Sequence, residues 1–275
     1  MKPVLAWMMA AMALLGCAGG DRRADDAAIG IVTLNLYHDK AHWPKRLPLI
    51  LDGLRRLDPD VIVLQEVLQH ADLPNQAQTI ADALGYTAYF VSNDAADAVR
   101  RYGNAILTRD PVLERSWRPL APLDDYRSVA HVRVDLHGTP VNVYATHLHH
   151  TAEGAAIRER QLGDVLAHVD ATAGDAPSLL AGDFNSPAAS PGLRVLDARF
   201  ADAYGTLHPD ADTGDAPATT LNPAFFDYRS RIDHVFVERG RFEPIEARIV
   251  LDAAGADGTW PSDHFGLYVR LRPTR

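Results

Sequence analysis

Asn35, Glu66, His147, Asp183 and Asn185 share one kind of position. Each stands where an apolar, strand-like run stops, in IGIVTLN, VIVLQE, VNVYATH and SLLAGDFN. Asp233 and His264 invert the order and head the runs HVFV and FGLYVRL. Polar ends and polar starts share one edge if the second kind of strand runs antiparallel to the first. That edge then collects carboxylates, amides and imidazoles. Such a set suits a hard cation together with acid–base chemistry on a phosphate.

Each signal also has an ordinary structural reading. In Gly182-Asp183-Phe184-Asn185 the carboxylate can orient or deprotonate a water and the amide can donate to a phosphate oxygen, yet the same residues favour an Asx turn. Ser262-Asp263-His264 offers an imidazole that titrates near neutrality, with Asp233 to fix its tautomer and Asp263 to help hold a metal; it also reads as a capped strand start. Glu66 is either a paired or metal-bound carboxylate or an exposed strand terminus, and Asn35 either a phosphate or metal-water partner or a turn cap. Three histidines at 147, 149 and 150 suggest zinc only superficially, because no further Cys/His spacing supports it. His147 reads as a hydrogen-bond donor and the other two as loop residues. The sequence contains no G-x-S-x-G, Walker, H-E-x-x-H or G-x-G-x-x-G motif.

The elements that must position these groups follow from periodicity and punctuation. Strands are predicted at 29–36, 61–65, 86–91, 104–108, 128–135, 141–148, 178–181, 232–237, 245–251 and 265–271, with a hairpin turn at His137-Gly138-Thr139. Leu47, Ile50, Leu51 and Leu54 mark one face of a helix over 45–57, which Pro59 stops. Further helices are expected at 76–84, capped by Gly85, and at 153–169. The stretch 187–224 reads as loop, with one short helix near 193–198. Antiparallel pairs with helices inserted at intervals fit two packed sheets with helices on their outer faces.

A chain of 275 residues, 47% hydrophobic and 23% charged, supports one large domain, expected at 29–275. The net charge of -9 argues against a tight nonspecific nucleic-acid binder, though not against a nuclease touching few phosphates. Seven arginines between Arg100 and Arg133 are read as mostly solvated surface. Lys2 precedes an apolar run ending Leu14-Leu15-Gly16-Cys17, too short to span a membrane comfortably. It resembles a bacterial lipoprotein signal, which predicts a signal at 1–17, a lipid on Cys17, a flexible tether at 18–28 and a periplasmic or cell-surface location. Cys17 is the sole cysteine, so no intramolecular disulfide and no cysteine nucleophile is available to the domain.

Taken in order, TLN at 33–35, LQEV at 64–67, GNAIL at 103–107, THL at 146–148, GDFN at 182–185, RID at 231–233 and SDH at 262–264 resemble the endonuclease/exonuclease/phosphatase superfamily. That group contains pancreatic-type DNase, apurinic endonucleases, neutral sphingomyelinases, deadenylases and inositol polyphosphate 5-phosphatases. The resemblance covers about residues 30–272. It implies an α+β fold of the DNase I type, a four-layer α/β/β/α sandwich of two mixed sheets flanked by helices. It also implies hydrolysis of a phosphate ester with Mg²⁺, or Mn²⁺ as an alternative ion.

Carried over by position, Glu66 is the principal metal ligand, helped by Asn35 and Asp263. Asp183 activates water, with Asp183 and His264 both open as the base. Asn185 orients phosphate, while His147 and His264, the latter paired with Asp233, stabilise the transition state. Arg127 and Asn104 contact substrate. One departure is Tyr37, where some nucleases of the group carry an acidic residue. The substrates implied are nucleic acid or a phospholipid headgroup, handled by a monomer through the loops at 91–102, 149–156 and 187–229. The alternative is a non-catalytic lipoprotein of the same fold that binds a phosphorylated ligand. Phe225, Phe226 and Tyr228 are read as packing residues.

Overall fold

The computed structural model describes residues 28–274. The predicted signal, Cys17 and nearly all of the tether lie outside the described residues. Twelve strands form two six-stranded mixed sheets. The first has the order β11-β12-β1-β2-β4-β3, from Phe242–Val250, Gly266–Pro273, Ile29–Asn35, Val61–Gln69, Arg101–Thr108 and Thr87–Ser92. The second has the order β5-β6-β7-β8-β10-β9, from Val112–Pro119, Ser128–Leu136, Thr139–His147, Ser178–Asp183, Asp233–Glu238 and Phe200–Asp202.

Three apolar clusters correspond to the three interfaces of a four-layer sandwich. Ile31, Val63, Val132, Val143 and Val235 pack between the sheets. Helices α1 (Trp43–Leu57) and α2 (Gln76–Leu84) bury Ile50, Leu54 and Ile80 against Leu34 and Leu64 on the outer face of the first sheet. Helix α3 (Ala155–Thr172) buries Leu162, Val165 and Val169 against Val129, Tyr144 and Leu180 on the second. A one-turn helix α4 (Ala203–Leu207) completes the set. Central strands read as continuous apolar runs because both of their faces are covered.

Several elements depart from expectation, among them β9 and α4, which lie in the stretch 187–224 read as loop. Strand β5 is long but almost wholly exposed, an edge strand hydrogen-bonded to β6 from Val112 to Pro119. Its sequence VLERSWRP lacks the alternation of a half-buried strand, which is why periodicity misses it. Strand β2 runs on to Gln69 rather than stopping at Gln65, because a bulge between Leu64 and Val67 lets pairing with β4 resume.

Candidate active site

Register brings the polar strand ends together. Strands β7 and β8 are parallel and set His147 beside Asp183; β10 is antiparallel to β8 and sets Asp233 on the other side. On the first sheet, parallel β1 and β2 pair Asn35 with Gln65, next to Glu66. Glu66 sits in the β2 bulge with φ 56°, so the bulge turns its carboxylate out of the sheet and toward the cleft. Gly182 has φ 145°, and a Cβ there would lie 1.9 Å from the Thr146 carbonyl oxygen. Only glycine lets β8 approach β7 this closely beneath Asp183.

Arg46 locks the rim. Fully buried, it donates to the carbonyls of Leu36, His38, Lys40 and Pro261, fixing the turn after β1 to the segment before Ser262-Asp263-His264. Burial lowers its pKa to about 10. Ser262 Oγ donates to the Asn35 carbonyl at 2.7 Å, tying the same two segments again.

Asp183 is the hub. Its Oδ2 accepts from Asn35 Nδ2 at 3.0 Å and faces His147 Nε2 at 3.5 Å and His264 Nε2 at 4.0 Å; its Oδ1 accepts from the Asn185 amide at 2.9 Å. Burial and the neighbouring Asp233 raise its pKa. His264 Nδ1 lies 2.8 Å from Asp233 Oδ2. Burial alone would lower the ring's pKa, but Asp233, Asp183 and Asp263 together lift it to about 10, which favours the protonated ring at neutrality. His147 is the opposite case. Burial and the Arg127 charge push it well below the ordinary range, so it stays neutral.

Glu66 lies 2.8 Å from His38 Nε2, and that hydrogen bond and charge hold its pKa low against the burial that would raise it. Burial, with Glu66 adding to it, raises Asp263 to about 6. Two carboxylates crowded into a partly desolvated corner are the environment a divalent cation relieves, and their oxygens are the donors a hard ion takes. These residues therefore fit a divalent metal. Asn35 contributes less, since its Oδ1 already accepts the Tyr37 amide and its Nδ2 braces Asp183. Among the described residues, a group of ligand-type atoms within 4.8 Å of one another is found instead at Asp183, Asp233 and His264. There His264 Nδ1 already engages Asp233, and the protonated ring offsets one of the two carboxylates.

These groups line a cleft of about 750 Å³ that also takes in His38, Lys40, Arg100, Tyr102, Phe226 and Tyr228. Nine of the ten predicted site residues belong to it, eight lining it directly and Asp233 acting behind His264. Asn104 does not. It is buried, and its amide donates to the Ser128 carbonyl at 3.1 Å, a tie between the two sheets rather than a substrate contact. Asn185 Nδ2 donates to the Leu148 carbonyl, which shapes the loop as well as the cleft. Of the aromatic residues after Asn222, Phe225 packs edge-on to Tyr37 at 5.6 Å as expected, whereas Phe226 and Tyr228 line the cleft. Phe226 stands edge-on to His264 at 6.0 Å and Tyr228 is 57% exposed at the cleft wall. His38 and Tyr102 were not anticipated; they stack at 4.9 Å beside Glu66. Their only sequence signal is closeness to the TLN and GNAIL motifs.

The chain belongs to the Endonuclease/Exonuclease/phosphatase family, whose model matches residues 32–264. The family consists of phosphoric ester hydrolases that are generally dependent on a divalent metal. Among characterised relatives, the chain is 28% identical to Nocturnin of Drosophila melanogaster over 82% of its own length and 41% of the fly protein. It is 27% identical to tyrosyl-DNA phosphodiesterase 2 of Mus musculus over 90% of its length and 67% of the mouse protein. Thus it spans less than half of the fly relative and about two thirds of the mouse one. A solved endonuclease/exonuclease/phosphatase from Beutenbergia cavernae superposes with a TM-score of 0.69 at 25% identity, covering 90% of this chain and 72% of that one. The human Nocturnin catalytic domain, solved with a bound sulfate anion, gives 0.72 at 20% identity over 90% and 94% of the two chains and supports the fold.

Proposed function

We propose that this chain is a Mg²⁺-dependent phosphodiesterase of nucleic acid, exported and tethered to a membrane by a lipid on Cys17. The observation that carries the catalytic reading is the convergence of Asn35, His147 and His264 on Asp183 Oδ2 inside the cleft.

Glu66 and Asp263, with the free lone pair of Asn35 Oδ1, would hold the cation, and a bound Mg²⁺ would offset charge on a phosphate oxygen. Asp183 acts as the base. Its raised pKa makes it a better proton acceptor than an ordinary carboxylate, and the Asn35 amide keeps one oxygen aimed at the attacking water. His264 is unsuited to that task, because an imidazolium has no lone pair to take a proton. It donates from Nε2 instead, held in orientation by Asp233. Neutral His147 also donates from Nε2, and Arg127 behind it adds positive charge. Both donors favour the state in which negative charge gathers on the phosphate.

Nucleic acid is favoured over a phospholipid headgroup by two facts. One relative is named for phosphodiester cleavage at tyrosyl-DNA. The cleft also sets Tyr126, Phe226 and Tyr228 near Lys40, Arg100 and Arg127, giving ring faces for bases and cations for phosphates. Export rests on the charged and apolar start that ends at the sole cysteine. Among the described residues no helix is long and apolar enough to cross a membrane.

The test is plasmid nicking by the full chain with Mg²⁺ or with EDTA, beside Asp183→Asn. Nicking that needs Mg²⁺ and disappears in the variant is expected. Hydrolysis of sphingomyelin or a small ester without nicking would keep the phosphoesterase chemistry and reject the substrate. Palmitate labelling that Cys17→Ser abolishes is the matching test of the anchor.

A further inference from the structure

We infer that a second groove, at the open edge shared by β3 and β5, holds a base of an unpaired nucleic-acid strand whose phosphate occupies the catalytic cleft. The inference rests on the nucleic-acid reading above.

The groove has a volume of about 340 Å³. Its walls come from the edge strands of both sheets, with Tyr89 and Phe90 from β3 and Trp117 from β5. Trp117 is 42% exposed on a strand with no neighbour on its outer side, so its ring face is available. Cations lie against these rings. The Arg101 guanidinium sits 5.0 Å from the Phe90 centroid and that of Arg115 5.8 Å from Tyr89. Rings beside arginines suit a stacked base with its phosphate neighbours.

The groove adjoins the cleft. Asp94 lines both, and Asn93 Nδ2 donates to the carbonyl of Arg127, whose side chain supports His147. The one carboxylate at the junction, Asp94, is already engaged by Ser92 Oγ and the Tyr102 amide. The basic and aromatic residues stand on the successive strands β3, β4 and β5, so the loops alone do not display the pattern.

The test uses the full chain carrying Asp183→Asn, so that oligonucleotides stay intact, and labelled oligothymidylates of about four and about twelve nucleotides. Anisotropy is expected to show roughly tenfold tighter binding of the longer strand. Trp117→Ala in the same background should remove that gain and Trp117→Phe keep most of it. Quenching of Trp117 emission by the longer strand, read as the difference between the parent and Trp117→Phe, reports the stack in a folded protein whatever the fate of the alanine variant. Binding that does not grow with length, or a gain with no Trp117 quenching, overturns the groove alone. Failure of either strand to bind, in a protein whose parent still hydrolyses a small ester, overturns both the groove and the nucleic-acid reading.

Discussion

Arg127 Nη1 donates to His147 Nδ1 across 2.9 Å, and that bond decides which ring nitrogen faces the cleft. A guanidinium has no acceptor, so Nδ1 must accept and the proton must sit on Nε2, toward Asp183. Arg127 is thus both a charge near the phosphate and the group that sets the donor beside it. Removing it frees the ring to take the other tautomer and turn an acceptor toward the substrate.

Arg127→Ala should therefore lower kcat roughly a hundredfold, the scale of losing one aligned donor to a charged transition state. Nitrogen NMR of the His147 ring reads the tautomer directly. Full activity with the Nε2–H tautomer unchanged would sink the assignment.

Asp183→Asn keeps the side-chain volume but removes the acceptor for a water proton. Turnover should fall by about three orders of magnitude or more while the melting temperature holds or rises, because the variant no longer buries a carboxylate beside Asp233. Calorimetry beside the rate assay separates this from simple unfolding. Near-normal turnover would move the base elsewhere.

Glu66→Gln should act on the metal rather than on the fold. The carboxylate projects from a bulge and is partly exposed, so core packing does not depend on it. Calorimetric titration with Mg²⁺ or Mn²⁺ should show affinity reduced at least about tenfold. An unchanged isotherm would remove Glu66 from the ligand set.

The sequence is most legible where physics leaves one solution. A carboxylate closing a run such as SLLAGD must find partners, because the strand carrying it is buried on both faces. The antiparallel inversion of Asp233 relative to Asp183 follows from the order of polar and apolar residues, and the pairing of β8 with β10 bears it out. What stays hidden depends on distance in the chain. Nothing near Asn104 tells that Ser128 will take its amide, and nothing in ERSWR marks an edge strand paired on one side only. The bulge at Glu66 is equally silent, since it is a mismatch between two strands rather than a property of one.

His234 offers a test of stability away from the chemistry. It is fully buried beside Asp233, its Nδ1 accepts from Arg231 Nη1 at 2.8 Å, and its Nε2 donates to the Ser186 carbonyl at 2.9 Å. It thereby anchors the loop that follows Asp183. Burial, and then the Arg231 charge, depress its pKa from 6.5 to about 4. The folded protein thus binds this proton less readily than the unfolded chain. Its contribution is complete above pH 6.5 and drains away as pH falls toward 4. The loss at this one site is on the order of 3 kcal/mol. Denaturant melts between those two pH values should show the drop, and His234→Gln, which cannot be charged, should be less stable at neutrality yet lose less on acidification. An equal acid-induced loss in the variant would assign the effect to other groups, His168 first among them, since burial lowers its pKa to about 4 as well.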